Sequence, residues 1–291
     1  MTAASPDRRA TLCGIAAILL WSSLAVLTVL TGALPPFQLL ATTFAIAAVA
    51  GLALVAWRGD GGLRGLRAPP AALLLATAGL AGYHALYFFA LKRAPAAQAN
   101  LLNYLWPLLV VVLAALVHGP RLRATQLAGA LLGLAAAVLL VTGGRGFAVE
   151  PAWIPGYLAA LGAALVWAGY SVANRRFAGV PSRTIVLACA GTALFGAALH
   201  LGFEPTVAPT AAEWAVLLAM GAGPVGAAFW LWDRGTKHGD LALLGTLAYA
   251  TPLLSTLLLV GSGRVPAHWT QAAAVALLLA GGWLGTRGAR R

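Results

Sequence analysis

Tyr104-Leu-Trp-Pro-Leu-Leu109 returns 145 residues later as Tyr249-Ala-Thr-Pro-Leu-Leu254. At the same offset Lys92 pairs with Lys237, and Gln126 with Gln271. Nearer the start the offset becomes 146, where Trp21 in Ala17-Ile-Leu-Leu-Trp-Ser22 faces Trp167 in Ala163-Ala-Leu-Val-Trp-Ala168. Each match is short. In order, and at almost one offset, they predict a duplicated chain with residues 1–150 and 151–291 as the two copies.

The 291 residues are 61% hydrophobic and 9% charged, where a soluble domain carries about 25% charge. Lipid removes the need to hide so much apolar surface. A helical span needs about 20 mostly apolar residues. Such runs fall at 10–30, 36–57, 70–91, 96–117, 124–143, 153–174, 184–203, 212–232, 241–261 and 268–286. The fold class is therefore an all-α polytopic membrane protein with ten transmembrane helices, five to each copy. An odd number per copy inserts the second copy the other way up, so the pattern predicts two five-helix inverted-topology repeats, an architecture of secondary transporters. The first run follows Asp7-Arg8-Arg9 but lacks a small-x-small cleavage site, so it is expected to remain as a span.

Net charge is +12, which could suggest nucleic acid, but the basic residues sit in short clusters between apolar runs rather than along a helix face. With ten spans, fifteen of the 19 Lys and Arg fall on the side of the termini. Only Lys92, Arg93, Arg145 and Arg264 fall on the other. Positive charge collects on the cytoplasmic side, so both termini are expected in the cytoplasm and the protein in a bacterial inner membrane. Cys13 and Cys189 lie within apolar runs and lack metal-type spacing. No metal or other cofactor is expected.

Residues three or four apart share a helix face. Gly79, Tyr83 and Tyr87 form one stripe, with His84 on its flank. Asn100, Asn103, Tyr104 and Pro107 form a second; Trp167, Tyr170, Ser171 and Asn174 a third. Trp57, Trp153, Trp214, Trp269 and Trp283 sit near span ends, where aromatic residues belt the interface. Trp21 and Tyr83 sit mid-span and suit a cavity lining or helix packing instead. Asn100 and Asn103 suit either helix–helix bonding or substrate contact. His84 is the one ionisable residue read deep within a span: it either donates a bond to a neighbouring helix, meets a substrate carboxylate or gates a proton. Pro107 and Pro252 hold matching mid-span positions, and paired interruptions mark helix kinks at a transport site. Gly129 and Gly133 form GxxxG, which favours close packing within or between subunits, so the chain is read as a monomer or weak homodimer.

All seven acids are assigned to span ends or connections, and Lys92 and Lys237 to span ends, with their amines snorkelling to the headgroups. A permanently cationic or a dianionic substrate would need buried partners of opposite sign. A neutral or zwitterionic solute with apolar bulk suits the lining, and aromatic rings can stack on it or take its ammonium. A membrane-embedded enzyme would need a nucleophile with a base or a ligated metal. A scaffold or receptor would need more than short connections, and a channel would be separated from a carrier by saturable counterflow.

Ten spans in two halves, a Trp in the first helix of each and Pro in the fourth and ninth resemble the EamA-type drug/metabolite transporter superfamily. The runs Tyr83-His-Ala-Leu-Tyr-Phe-Phe-Ala-Leu-Lys92 and Asn100-Leu-Leu-Asn-Tyr-Leu-Trp-Pro107 carry the resemblance further. It covers essentially the whole chain. It implies export of aromatic and some other neutral amino acids from the cytoplasm, through a central cavity with the fifth and tenth helices peripheral. The expected substrate-facing residues are Trp21, Tyr83, His84, Tyr87, Asn100, Asn103, Tyr104, Trp106, Trp167, Tyr170 and Tyr249. Export of another small metabolite or a drug, with or without proton coupling, is the alternative.

Overall fold

The computed structural model describes residues 6–58, 65–94, 99, 102–118, 123–144, 150–261 and 267–287. Every regular element among them is helical. In chain order we number α1 (Arg8–Ser22), α2 (Leu24–Leu30), α3 (Pro36–Arg58), α4 (Pro70–Arg93), α5 (Trp106–His118), α6 (Ala124–Thr142) and α7 (Ile154–Ala173). After these come α8 (Ile185–Phe203), α9 (Ala211–Met220), α10 (Ala228–His238), α11 (Leu241–Leu247), α12 (Ala250–Gly261) and α13 (Trp269–Arg287). Six helical stretches are long and apolar enough to cross a bilayer: Arg8–Thr28, Pro36–Trp57, Pro70–Ala90, Pro151–Phe177, Ser182–Phe203 and Ala211–His238. Four shorter apolar helices accompany them, at Trp106–Val117, Ala124–Leu139, Leu241–Leu254 and Trp269–Gly281.

The ends of the helices come from local chemistry. Asp7 caps α1 by accepting from the Arg9 amide at 2.8 Å, and Asp240 caps α11 by accepting from Leu243 at 3.0 Å. Proline opens α3 and α4, where a missing N–H costs nothing. Thr210 and Glu213 close a reciprocal capping box on α9. The first span breaks at Ser23, whose hydroxyl donates to the Leu20 carbonyl at 2.7 Å. The eighth runs on to His238, six residues past the expected end, and its middle, Gly221–Ala227, is π-helical around Pro224.

The core lies between the two halves of the chain. The most extensive packing joins α6 to α13, α3 to α8, α4 to α7 and α1 to α10, each pair drawing one helix from either half. The GxxxG glycines serve packing inside this chain. A Cβ at Gly281 of α13 would sit 2.7 Å from the Gly129 carbonyl oxygen, and one at Gly133 would strike the Tyr249 ring at 2.4 Å. Exposed Leu74, Leu158, Leu194 and Leu201 clothe the outside.

Two latches define the ends of the bundle. At the end where α1 begins, the Asp7 amide donates to the His238 carbonyl and the Asp240 amide to the Thr11 hydroxyl. At the other end, the Glu204 carboxylate accepts from the Phe37 and Gln38 amides at 3.0 Å, capping α3. His200 holds that carboxylate at 3.1 Å. We call these the terminal face and the far face.

Candidate functional site

Rings from both halves meet in mid-bundle. The Trp21 indole of α1 lies 5.1 Å from Trp232 and 5.8 Å from Phe229, both on α10. It lies 5.6 Å from Trp167 of α7 and 6.5 Å from Trp106 of α5. These are centroid distances, and the edge-to-face and tilted arrangements suit aromatic quadrupoles. Toward the far face, Trp167 meets Tyr83 at 5.3 Å, and Tyr83 stacks on Tyr87 at 5.8 Å with the planes 4° apart. Phe44 of α3 meets His84 at 5.1 Å and Phe229 at 5.5 Å. His84 reaches Phe88, and Phe88 reaches Phe37. An aromatic column thus runs from Phe37 at the far face to Trp232, which is fully buried.

Polar groups enter at defined points. The His84 Nδ1 lies 2.6 Å from the Leu80 carbonyl, an acceptor, so Nδ1 carries the proton and Nε2 is the acceptor of the neutral ring. The Asn103 amide donates to the Tyr83 hydroxyl at 3.1 Å. Its buried Oδ1 has no hydrogen-bond partner among the described residues and can accept from a substrate N–H. Trp232 Nε1 donates to the Ser171 hydroxyl at 3.1 Å, closing the column on its terminal-face side.

Beyond that closure lies a buried polar cluster. Lys237 Nζ stands 2.8 Å from Asp233 Oδ2, and both side chains are 3% exposed. Asn174 donates to Asp233 Oδ1 at 2.8 Å and to the Thr236 hydroxyl at 3.0 Å. Lys237 also donates to the Val180 carbonyl at 3.0 Å. The snorkelling expected of Lys237 is therefore corrected: the extra turns of α10 carry it inward, against the 174–184 connection. The Lys92 side chain lies outside what the structure describes.

The expected site residues divide. Trp21, Tyr83, His84, Tyr87, Trp106, Trp167 and Tyr170 join the column or touch it, Tyr170 at 5.4 Å from Trp167. Asn103 joins it through Tyr83. Tyr249 does not: it is fully buried in a second cluster with Val111, Ala130 and Ala137, against which Tyr104 packs. Gly133 leaves room for the Tyr249 ring there, so this tyrosine wedges helices apart from the column. Asn100 lies outside the described residues. The chain leaves helical geometry at 104–105 and 248–249, just before the buried Pro107 and Pro252. Sequence reasoning missed Phe44, Phe88, Phe229, Trp232 and the Asp233–Lys237 pair. The available signals were the i, i+3 spacing of Phe229 and Trp232 and the i, i+4 spacing of the opposite charges.

The fold is a bundle of apolar helices crossed by an aromatic column shared between its halves, and comparison with known proteins gives its class, the membrane transporters, and its family. The sequence profile of the EamA-like transporter family matches residues 8–142 and again 154–286. The chain belongs to this family and is a multi-pass membrane protein. It is 50% identical over 285 residues to the aromatic amino acid exporter YddG of Ancylobacter novellus, covering 97% of this chain and 98% of that one. It is 27% identical over 304 residues to the aromatic amino acid exporter YddG of Salmonella typhimurium, covering 97% and 99%. A crystal structure 49% identical in sequence superposes with a TM-score of 0.92, covering 97% of this chain and 98% of that one.

Proposed function

We propose that this protein is a secondary transporter that exports aromatic and other neutral amino acids from the cytoplasm, by facilitated alternating access. The aromatic column carries this reading. Its rings already touch, so a substrate ring enters by exchanging ring–ring contacts for ring–substrate contacts of the same kind. That exchange is close to balanced and suits a carrier that must release what it binds. Mid-column, Asn103 Oδ1 offers an acceptor for the substrate ammonium and His84 Nε2 an acceptor for a second N–H. The names of the relatives point to the same substrate class.

The six long and four shorter apolar helices support ten spans, and the two profile matches support two repeats. Exchanging the halves carries α1 onto α7 and α10 onto the second half of α4, so the α1–α10 pair maps onto α7–α4, and the α3–α8 and α6–α13 pairs map onto themselves. Direction supports inversion: α1 begins at the terminal face beside His238, whereas α7 begins beside Arg93 and Ala94, at the far-face end of α4. The charge asymmetry supports a terminal face in the cytoplasm, with the protein in a bacterial inner membrane.

Counterflow tests the function. Proteoliposomes preloaded with unlabelled phenylalanine should take up labelled phenylalanine saturably, with tryptophan and tyrosine competing and a pH gradient making no difference. Uptake equal to that of empty liposomes, from folded protein, would contradict the amino-acid reading. Strong acceleration by a proton gradient would contradict the facilitative one.

A further inference from the structure

The column presents rings to a substrate ring, but an amino acid also carries an ammonium and a carboxylate. Along α10 the first ionic side chains after Phe229 and Trp232 are Asp233, Arg234 and Lys237. Asp233 and Lys237 are buried together, whereas Arg234 is half-exposed and faces Asp7 at 3.9 Å. Resting on the functional reading of an amino-acid exporter, we propose that Asp233 and Lys237, steadied by Asn174, form a loading site for the zwitterionic head group. Asp233 takes the ammonium and Lys237 takes the carboxylate.

Four observations carry this. First, the pair keeps unused capacity. A carboxylate offers about four acceptor positions and an ammonium three donors. Asp233 Oδ1 receives Asn174, while Asp233 Oδ2 faces Lys237 as an ion pair but has no hydrogen-bond partner among the described residues, and Lys237 gives to Val180. Second, the pair borders a small cavity that Ala68, Ala72, Leu73 and Ala76 line together with Thr184 and Ile185. Third, geometry matches charge. A zwitterion laid antiparallel to the pair gives every charge an opposite neighbour, which offsets the desolvation that makes lone buried ions costly. A net-charged head group would leave one charge unmatched. Fourth, the site is one-sided. The repeat offset of 145 puts His84 opposite Phe229, Tyr87 opposite Trp232 and Lys92 opposite Lys237, but Phe88 opposite Asp233. Aromatic residues recur at these positions in both halves, while the acid of α10 has only Phe88 as its counterpart on α4.

The cavity is small, so the head group enters as α10 separates from the 174–184 connection. Its charges then replace the contacts that held the two together. Binding the head group and opening the terminal face become one event, and Trp232, one residue from Asp233, is the ring it next meets.

The test is competition against labelled phenylalanine in counterflow by the full chain. The competitors are unlabelled phenylalanine, phenethylamine (no carboxylate) and 3-phenylpropionate (no amine). Wild-type protein should favour phenylalanine over either analogue by at least about tenfold, as loss of a buried charge partner implies. In Asp233→Asn/Lys237→Met the preference over phenethylamine should fall to within about twofold, while Asn103 retains part of the preference over 3-phenylpropionate, with thermal stability near wild type because apolar and neutral replacements of buried pairs are tolerated. A folded double variant that keeps the tenfold preference over phenethylamine overturns the proposal and leaves the functional reading standing. Should the double variant fail to fold, Asp233→Glu and Lys237→Arg carry the test, since each moves its charge by about 1 Å. An altered preference supports the site and an unchanged one overturns it. Wild-type protein that moves no phenylalanine overturns the functional reading itself, and this inference with it.

Discussion

Trp21 joins the halves at the scale of a single side chain: its indole touches Trp106 from the first half and Trp167, Phe229 and Trp232 from the second. Trp21→Ala and Trp167→Ala should each lower phenylalanine counterflow at least about tenfold, the usual weight of a buried Trp contact. Truncating a packed ring also costs about 3–5 kcal/mol of stability, so Trp21→Phe and Trp167→Phe provide the control. They should unfold near the wild-type temperature and transport better than the Ala variants; equal transport by Ala variants and wild type would take both residues out of the site. These two tryptophans were legible in the sequence because they fall mid-span, where an interfacial belt does not reach. Asp233 and Lys237 were not legible as a site. Opposite charges at i, i+4 usually face water, and here packing against the 174–184 connection and the start of α4 buries the pair. Phe229 and Trp232 were hidden by a span end placed at 232, when the helix continues to His238. Tyr249 packs in the second cluster and not in the column, because repeat symmetry aligns backbone positions and says nothing of what a ring packs against.

Elements carry the helix interruptions. The breaks before Pro107 and Pro252 were readable, since proline removes an intrahelical bond wherever it sits inside a span. The π-helical Gly221–Ala227 was not, though Pro224 marks it. One extra residue in a turn rotates every later side chain by about 100°, and in this helix Phe229 and Trp232 are the rings so turned. Pro224→Ala should let this segment regain α geometry and slow counterflow more than it lowers the unfolding temperature. Glycines test helix approach separately. A Cβ at Gly79 of α4 would stand 2.6 Å from the Tyr170 ring of α7, whereas one at Gly169 meets nothing within 4 Å. Gly79→Val should therefore destabilise by about 1–3 kcal/mol, the cost of overpacking. Gly169→Ala should be neutral or stabilising by about 0.5–1 kcal/mol, since Ala restricts the unfolded chain. Thermal unfolding of the two variants in detergent checks both.

The whole molecule is woven from its halves rather than built as two lobes, because each of the main helix pairs crosses from one copy to the other. Composition and spacing made the membrane class legible, since no soluble core could hide so much apolar surface. Which helices pair was not legible, because near-uniform Ala and Leu faces carry no local signal of partner. Orientation is testable at this scale. In a background with Cys13 and Cys189 replaced by Ala, Ala208→Cys on the far face should react with an impermeant maleimide in intact cells. Gly179→Cys on the terminal face should react only after permeabilisation, and the reverse pattern would contradict cytoplasmic termini. The central claim is that an aromatic amino acid occupies the ring column between the halves. The most direct measurement is a crystal structure with bound 4-iodo-L-phenylalanine, read by the anomalous signal of iodine. The account predicts iodine among Trp21, Trp106 and Trp167. Iodine found only on the lipid-facing surface, in protein that transports the analogue, would contradict it.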